Sequence, residues 1–210
     1  MAGREIIDMS KRENDNKIEE KQESKKDASE GKSGVLKETV SFILYIAVVF
    51  LATYLVIHYV GQRTQVSGTS MEYTLSDGDN LIVDKISYRF HAPERFDIIV
   101  FPFQQEEDTY YIKRIIGLPG ETVQIDEAGS IFIDGEVLEE SYGREVMLDQ
   151  GQAAVPIELG EDEYFVLGDN RNASSDSRDP RVGVVHRKDI IGRAWLRIYP
   201  FDNAGFIKHQ

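Results

Sequence analysis

Hydrophobic and polar residues divide this 210-residue chain into three segments with different patterns. Residues 1–35 are mostly polar and contain no aromatic residue, whereas residues 40–60 form an apolar run without Asp, Glu, Lys or Arg. Over residues 64–210, short apolar stretches alternate with turn residues, and no long segment has helical periodicity. The pattern predicts a polar tail, one apolar helix and a separate β-rich domain.

The β-rich domain contains eight candidate strands that are short, rich in Val, Ile, Tyr and Phe, and bounded by turn residues. They are residues 80–84, 96–101, 109–116, 122–125, 131–133, 136–138, 163–167 and 190–199. Asp134-Gly135 between two of them is a strong signal for a two-residue hairpin. Residues 140–162 are acidic and poorly periodic, and we expect a surface loop or small excursion there. The predicted fold class is mainly β, a folded antiparallel sheet or barrel preceded by one transmembrane helix.

The apolar run of residues 40–60 is long enough to cross a bilayer. A helix of 21 residues at 1.5 Å per residue spans roughly 30 Å, the thickness of the hydrocarbon layer. A buried helix of a soluble protein would normally carry a polar stripe, which this run lacks. The run is too long for the apolar part of a cleavable signal peptide, and no A-x-A pattern follows it. We therefore expect an uncleaved transmembrane anchor over residues 36–63.

Charged residues around the anchor predict its orientation in the cell membrane. Four lysines between residues 25 and 37 precede the apolar run, whereas only Arg63 follows it closely. Because basic flanks stay in the cytoplasm, we expect a cytoplasmic N-terminus and an extracytoplasmic domain over residues 64–210. Residues 1–35 have 9 acidic and 8 basic residues and little apolar surface, which predicts a disordered tail. A short amphipathic helix at the membrane surface is the alternative.

Composition excludes several kinds of chemistry. The chain has no cysteine, which excludes disulfides, a cysteine nucleophile and zinc sites built on thiolates. Its net charge of −13 lies entirely in residues 64–210 and argues against non-specific nucleic-acid binding. Histidine is scarce and no H-E-x-x-H motif occurs, so we expect neither a metal nor a cofactor.

One lysine and one small-residue turn are candidates for catalysis. The turn is residues 67–71 (SGTSM), a few residues beyond the predicted membrane exit. In the predicted strand, Lys113 shares a face with Tyr111 and Ile115. If that face is buried, desolvation lowers the pKa of Lys113, and a neutral amine can take a proton from a serine hydroxyl. A solvated edge lysine without a catalytic role is the alternative.

A dense polar loop, GDNRNASSDSR, occupies residues 168–178 after the last but one predicted strand. By itself it is also compatible with an ordinary solvated loop. Spacing alone leaves open a Ser-His-Asp triad that uses His91 or His186, although neither histidine has a distinctive local context.

Five motifs of the chain resemble, in the same order, those of the type I signal peptidases: SGTSMEYTL, GDNLIVDK, FDIIVF, YIKRIIGLPGE and YFVLGDNRNASSDSR. This leader peptidase family consists of membrane-bound Ser/Lys endopeptidases that remove signal peptides from exported proteins. The resemblance extends from residue 36 to about residue 200, and the single anchor resembles the Gram-positive branch. It implies cleavage of exported preproteins at small-x-small sites, by an enzyme that acts as a monomer at the bilayer.

The resemblance also implies roles for individual residues at the reacting centre. Ser70 would be the nucleophile and Lys113 the general base. Ser174 would hydrogen-bond the lysine amine and orient it. Gly68 would lie beside the backbone N–H of Ser70 in the oxyanion hole, where some family members have a serine hydroxyl instead.

Two ion pairs would support this site, Arg114 with Asp169 and Asp176 with Arg178. By the same resemblance, apolar side chains would form shallow subsites for the substrate. These side chains are Val66, Met71, Leu75, Leu81, Val100, Tyr111 and Ile112.

Two motifs depart from the family pattern. Tyr73 replaces the proline of S-M-x-P-T-L, and Asn172 and Ala173 replace two residues of G-D-N-R-D-N-S. Neither change affects the nucleophile, the base or the orienting serine, so we expect an active enzyme. The alternatives are a catalytically inactive relative that acts as a scaffold, and a membrane-anchored β-rich binding module.

Overall fold

The computed structural model describes residues 37–55, 61–143 and 145–209. The chain divides into two units, one ending at Tyr54 and the other beginning at Leu55. Helix α1 (Lys37–Leu55), which accounts for the described residues of the first unit, is long and apolar enough to cross a membrane. All of its residues are exposed, as an apolar helix surrounded by lipid would be. The predicted tail and the last part of the apolar run lie outside the described residues.

The second unit is built from short antiparallel strands. In the described part they are β1 (Gly61–Gln65), β2 (Asn80–Asp84), β3 (Ile98–Pro102), β4 (Tyr110–Gly117), β5 (Thr122–Ile125), β6 (Ile131–Ile133), β7 (Glu136–Val137), β8 (Ile157–Glu158), β9 (Glu163–Leu167), β10 (Val185–His186), β11 (Gly192–Tyr199) and β12 (Gly205–Phe206). Short 3₁₀ helices lie at Ser87–Arg89, Gly151–Ala154, Arg171–Ala173, Arg187–Asp189 and Phe201–Asn203.

These strands form two sheets. The larger sheet has eight strands in the order β1-β2-β11-β3-β4-β9-β10, with β12 beside β11. The smaller sheet has the order β7-β6-β5-β8. Every strand pair is antiparallel. The predicted fold class, mainly β with one preceding apolar helix, is confirmed.

All eight strands predicted from the sequence are present, but four others are not evident from it. Strand β1 (GQRTQ) is polar, and β8, β10 and β12 have only two residues each. Such segments lack an alternating pattern, and their extended form depends on pairing with a neighbouring strand. The hairpin prediction is confirmed, since Asp134 and Gly135 both have positive φ angles, 51° and 84°, between β6 and β7.

The expectation of a surface loop over residues 140–162 is wrong in part. This segment contains a 3₁₀ helix and strand β8. It also contributes Met147, Ala153 and Leu159 to a hydrophobic cluster with the small sheet and the end of β4. Three apolar residues spread over so many positions are too few to produce a periodic pattern in the sequence.

Strand β4 lies in the middle of the large sheet, and its side chains alternate between different hydrophobic clusters. Tyr111 and Ile115 pack in one cluster, whereas Ile112 contacts a second and Ile116 a third. Because both faces of β4 are covered, charged side chains that fall between these residues are buried with them. The strand pattern YIKRII therefore places a lysine and an arginine in the interior.

Candidate active site

A cleft of about 380 Å³ opens beside β4. It is lined by residues 64–70 on one side, by residues 109–113 on the other, and by Val100, Ala173 and Ser175. The small-residue turn and the lysine-bearing strand, which are distant in sequence, thus face each other across one cleft.

Ser70 and Lys113 are hydrogen-bonded to each other in this cleft. The Nζ of Lys113 donates to the Oγ of Ser70 at 2.9 Å and to the backbone carbonyl of Ile112 at 3.0 Å. The ring centroid of Tyr111 lies 4.9 Å from the same Nζ. Lys113 is only 3% exposed, so its amine is surrounded by neutral groups and little water.

Burial determines the protonation of this lysine. Desolvation lowers the pKa of Lys113 to about 8, although the negative charges of Asp176 and Asp169 act in the opposite direction. A lysine with this pKa is neutral in half of the molecules near pH 8. The geometry can therefore transfer the Ser70 proton to the lysine amine and activate the hydroxyl as a nucleophile.

Arg114, the next residue of β4, points to the opposite face and pairs with Asp169 in the interior. Its Nε and Nη2 donate to the two carboxylate oxygens at 2.9 and 2.7 Å, and its Nη1 donates to the carbonyl of Phe96 at 2.9 Å. The ring of Tyr142 covers the guanidinium at 3.7 Å. The hydroxyl of Thr74 donates to Asp169 at 2.5 Å. This pair therefore ties the segment after Ser70 to the loop after β9.

A second buried pair holds the same loop at its other end. The Nε of Arg178 donates to Asp176 at 2.8 Å, and both residues are buried. Asp176 in turn accepts the backbone N–H of Gly168 at 3.1 Å. The carboxylates that would raise the pKa of Lys113 are thus both bound by arginines.

The loop after β9 packs directly against the backbone of the Ser70 turn. The N–H of Asn170 donates to the Ser70 carbonyl at 3.0 Å, and its side-chain amide donates to the Thr69 carbonyl at 3.1 Å. At Gly168 a Cβ atom would lie 2.5 Å from the Ser70 carbonyl and would also collide with the Ser174 hydroxyl. Only glycine fits this close approach of the two segments.

Ser174 does not make the expected hydrogen bond to Lys113. Its Oγ is buried against Gly168 and makes no hydrogen bond within the described part of the chain. The Lys113 amine donates instead to Ser70 and to the carbonyl of Ile112. The loop nevertheless places Ser174 near the Ser70 turn, because the Ser174 hydroxyl and the Ser70 carbonyl both lie against Gly168.

Gly68 lies on the cleft wall in a conformation that disfavours other residues. Its φ of +92° is in the left-handed region, and its N–H donates to Asp77 at 2.8 Å. This backbone conformation favours glycine at residue 68.

The expected apolar subsite residues fall into two groups. Val66, Val100, Tyr111 and Ile112 line the cleft. The other three are fully buried in the hydrophobic cluster beneath the Ser70 turn and are not among the cleft-lining residues, contrary to the expectation. They are Met71, Leu75 and Leu81. Residues that follow the nucleophile in sequence are turned inward because they anchor the turn to the core.

The histidines of the alternative triad lie elsewhere. His91 is exposed, and His186 lines a separate cavity with its Nδ1 3.7 Å from Asp162. Neither histidine is among the residues that line the Ser70 cleft. Within the described ranges, no group of three His, Asp or Glu residues could hold a metal ion.

Sequence reasoning missed several residues that hold the site together. Thr74 lies within the SGTSMEYTL motif and Asn170 within the polar loop, and neither residue type indicates its contacts. Glu140 and Tyr142 come from the segment expected to be a surface loop. Their contacts join residues 28 or more positions apart, so local spacing carries no signal for them.

A buried lysine bonded to a serine hydroxyl in an open cleft, on a β-rich domain that follows an apolar helix, is the arrangement that a Ser/Lys hydrolase requires. The family model described as "Signal peptidase, peptidase S26" matches residues 36–199. The chain is 37% identical over 155 residues to "Probable signal peptidase I-2" of Synechocystis sp., a match that covers 71% of this chain and 68% of that protein.

Other relatives carry the same name. The chain is 42% identical over 154 residues to "Signal peptidase I" of Leptolyngbya laminosa, covering 70% of this chain and 73% of that protein. It is 34% identical over 176 residues to "Signal peptidase I P" of Bacillus subtilis subsp. natto, covering 80% and 94%. The Bacillus match agrees with the resemblance to the Gram-positive branch.

The chain therefore belongs to the signal peptidase family, peptidase S26. It is a serine endopeptidase of the type that removes signal peptides, and its apolar helix together with the family indicates membrane anchoring. The inactive scaffold and the binding module are not favoured by these relatives.

Proposed function

We propose that Ser70 and Lys113 carry out the peptide hydrolysis. The observation that carries this proposal is the 2.9 Å hydrogen bond between the Ser70 hydroxyl and a buried lysine whose pKa is about 8. Neutral Lys113 accepts the hydroxyl proton while Ser70 attacks the peptide carbonyl. The backbone N–H of Ser70 stabilises the oxyanion. Gly68 adds no side-chain donor.

The second half of the reaction reuses the same lysine. The Lys113 ammonium gives its proton to the leaving amine, and the peptide C–N bond breaks to leave an acyl ester on Ser70. Water then attacks the ester while Lys113 accepts a proton from the water. Collapse of this intermediate breaks the bond between the acyl carbon and the Oγ of Ser70, and Lys113 returns the proton to Oγ as the carboxylic acid leaves. Ser174 borders this centre from the loop after β9.

The proposed substrate is an extended segment of an exported preprotein with small residues at positions −1 and −3. Strand β3 pairs with residues 110–114 of β4, whereas β9 pairs with β4 only from Arg114 onward. Residues 110–113 thus have a sheet edge that faces the cleft, where an extended peptide can add as a strand. Val66 and Ile112 line shallow apolar subsites that favour small side chains.

The proposed arrangement in the cell follows from the charges around the anchor. Residues 1–35 form a cytoplasmic tail, residues 36–63 cross the bilayer, and residues 64–210 form an extracytoplasmic domain. Confining enzyme and preprotein to one membrane surface raises their effective concentration. The lipid bilayer is therefore a functional partner, whereas nucleic acid is not.

Cleavage of a defined preprotein tests the proposed function. We expect the full-length protein, reconstituted in liposomes, to cut a preprotein with an A-x-A site once, after the second alanine. Mass spectrometry of both products locates the cut. The matched control is the same preprotein with leucine at −1, which the shallow subsite should exclude. No cut, or a cut that is insensitive to the residue at −1, would contradict the proposal.

The rate should depend on pH through Lys113. Only the neutral amine can accept the serine proton, so kcat/KM should rise with pH and reach half of its plateau near pH 8. The profile is obtained by measuring initial rates across buffers of constant ionic strength. A variant with both His91→Asn and His186→Asn should give the same midpoint. A midpoint at about pH 6.5 in the wild type, together with loss of activity in this double variant, would point to a histidine base instead.

A further inference from the structure

Residues 139–143 and 145–149, which we call the strap, contact the loop that supports Ser70. The sequence predicts an acidic surface loop or small excursion here, yet Glu140, Val146 and Leu148 are bound to residues of the segment 168–178, which we call the site loop. Tyr142 of the strap stacks on Arg114 and donates its hydroxyl proton to the carbonyl of His209 at 2.9 Å. The strap is thus fixed at its middle by the interior of the domain.

Glu140 forms a two-point ion pair with the site loop. Its carboxylate oxygens lie 2.8 Å from Nη1 and 2.9 Å from Nη2 of Arg171. The Arg171 side chain is 3% exposed and that of Glu140 is 12% exposed, so little water competes with the pair. The remaining donor of this guanidinium, Nε, binds the carbonyl of Gly168 at 3.1 Å. Glu140 therefore fixes the guanidinium of Arg171, which in turn binds the carbonyl of Gly168.

Asn172 makes a second connection between the site loop and the strap. Its side-chain oxygen accepts the N–H of Leu148, and its side-chain amide donates to the carbonyl of Val146, both at 3.0 Å. An aspartate could accept the first bond but could not donate the second when ionised. The departure from the family pattern at residue 172 is thus matched to the backbone of this particular strap.

Gly168 connects these contacts of the site loop to Ser70. Its N–H is held by Asp176 and its carbonyl by Arg171, while its Cα lies against the Ser70 carbonyl. No space separates the two segments, so a shift of Gly168 must displace the Ser70 turn or open a gap beside it. A gap would admit water near Lys113.

We propose that the strap positions the catalytic site, with Glu140 acting through Arg171 and Gly168 on the geometry of Ser70. The inference rests on the proposed role of Ser70 as nucleophile. Without Glu140, the buried Arg171 guanidinium lacks its counter-charge and moves toward water, and the Gly168 carbonyl follows or loses its donor. Glu140 is a positioning residue, because it does not line the cleft and reaches Ser70 only through other residues.

The test compares Glu140→Ala with Glu139→Ala, which alters the neighbouring exposed glutamate. In the reconstituted full-length enzyme, we expect Glu140→Ala to lower kcat about 10- to 100-fold through misplacement of Ser70, while KM changes little. The midpoint of the pH–rate profile should also move to higher pH, because water beside Lys113 reduces its desolvation. Glu140→Asp keeps the charge and should recover part of kcat, and Glu139→Ala should match the wild type.

Two further measurements separate positioning from loss of folded enzyme. First, rates are normalised to the concentration of active sites, which is titrated with an acylating inhibitor. Second, Asn172→Asp removes a different contact between the strap and the site loop, and it should also lower kcat. Normal kcat and an unchanged midpoint in both Glu140→Ala and Asn172→Asp would overturn the inference. If the wild type itself did not cleave the preprotein, the proposed function would fail instead.

Discussion

Ser70→Ala is expected to abolish cleavage of an A-x-A preprotein, with kcat reduced about 10⁴-fold or more. The substitution removes the hydroxyl that is hydrogen-bonded to Lys113 and that forms the acyl ester in the proposed mechanism. The Ser70 side chain is only partly buried at the cleft wall, and the apolar anchors of its turn are unchanged. We therefore expect the variant to fold and bind substrate normally.

The measurement is single-turnover cleavage followed by electrophoresis, with Ser76→Ala as the matched control. Ser76 is an exposed serine six positions further along the same segment, and its variant should retain wild-type rates. Mass spectrometry after an acylating inhibitor should show a covalent adduct in the wild type and none in Ser70→Ala. Cleavage by Ser70→Ala at a near-normal rate would mean that another residue is the nucleophile.

Lys113→Arg should be almost as damaging, although it preserves the positive charge. An arginine cannot give up its proton at working pH, so it cannot accept the proton of Ser70. The Lys113 amine donates to Ser70 and to the Ile112 carbonyl, and a planar guanidinium presents its donors in a different geometry. We expect kcat to fall about 10³-fold or more, without recovery at alkaline pH.

This variant distinguishes a general base from a residue that acts only through its charge. Lys113→Met, which keeps the length of the side chain without the amine, should lose activity to the same extent. Lys188→Arg, at an exposed position, is the control and should leave the pH–rate profile unchanged. If Lys113→Arg retained activity, the lysine would contribute charge rather than proton transfer, and the proposed mechanism would be wrong.

The acidity of the domain makes a neutral lysine difficult to maintain. The chain carries a net charge of −13, and Asp169 and Asp176 both act to raise the pKa of Lys113. Arginine side chains bind both carboxylates. Desolvation of Lys113 lowers its pKa more than the two carboxylates raise it. The same arginines fix the loop that supports Ser70. One set of ion pairs thus serves both the electrostatics and the geometry of the site.

Much of the fold could be predicted because its central strands carry their own signals. The run YIKRII alternates correctly between two faces, and the hairpin at Asp134-Gly135 is specified by its turn residues. Strands β1, β8, β10 and β12 could not be predicted in this way. Their few residues are extended because each segment forms hydrogen bonds with a partner strand. Those partners are adjacent only in the folded sheet, so the local sequence does not indicate them.

The site shows the same division between local and long-range information. The motifs around Ser70 and Lys113 indicate a serine and a lysine with related roles, and the cleft brings them within 2.9 Å. The sequence places Met71 and Leu75 beside the nucleophile, but only the packing shows that they face the core rather than the substrate. Side-chain direction in a turn depends on tertiary contacts, since a turn has no fixed period.

The sequence by itself determined the mainly β class of the protein and its family, because these depend on composition, local pattern and motif order, and it predicts a three-part organisation on the same basis. Only the tertiary structure decided that Lys113 is buried enough for its pKa to fall, and that the strap braces the loop behind Ser70. Desolvation and the contacts of Glu140 and Asn172 arise between segments far apart in the chain. Their strength depends on distance and exclusion of water, which exist only once the domain has folded.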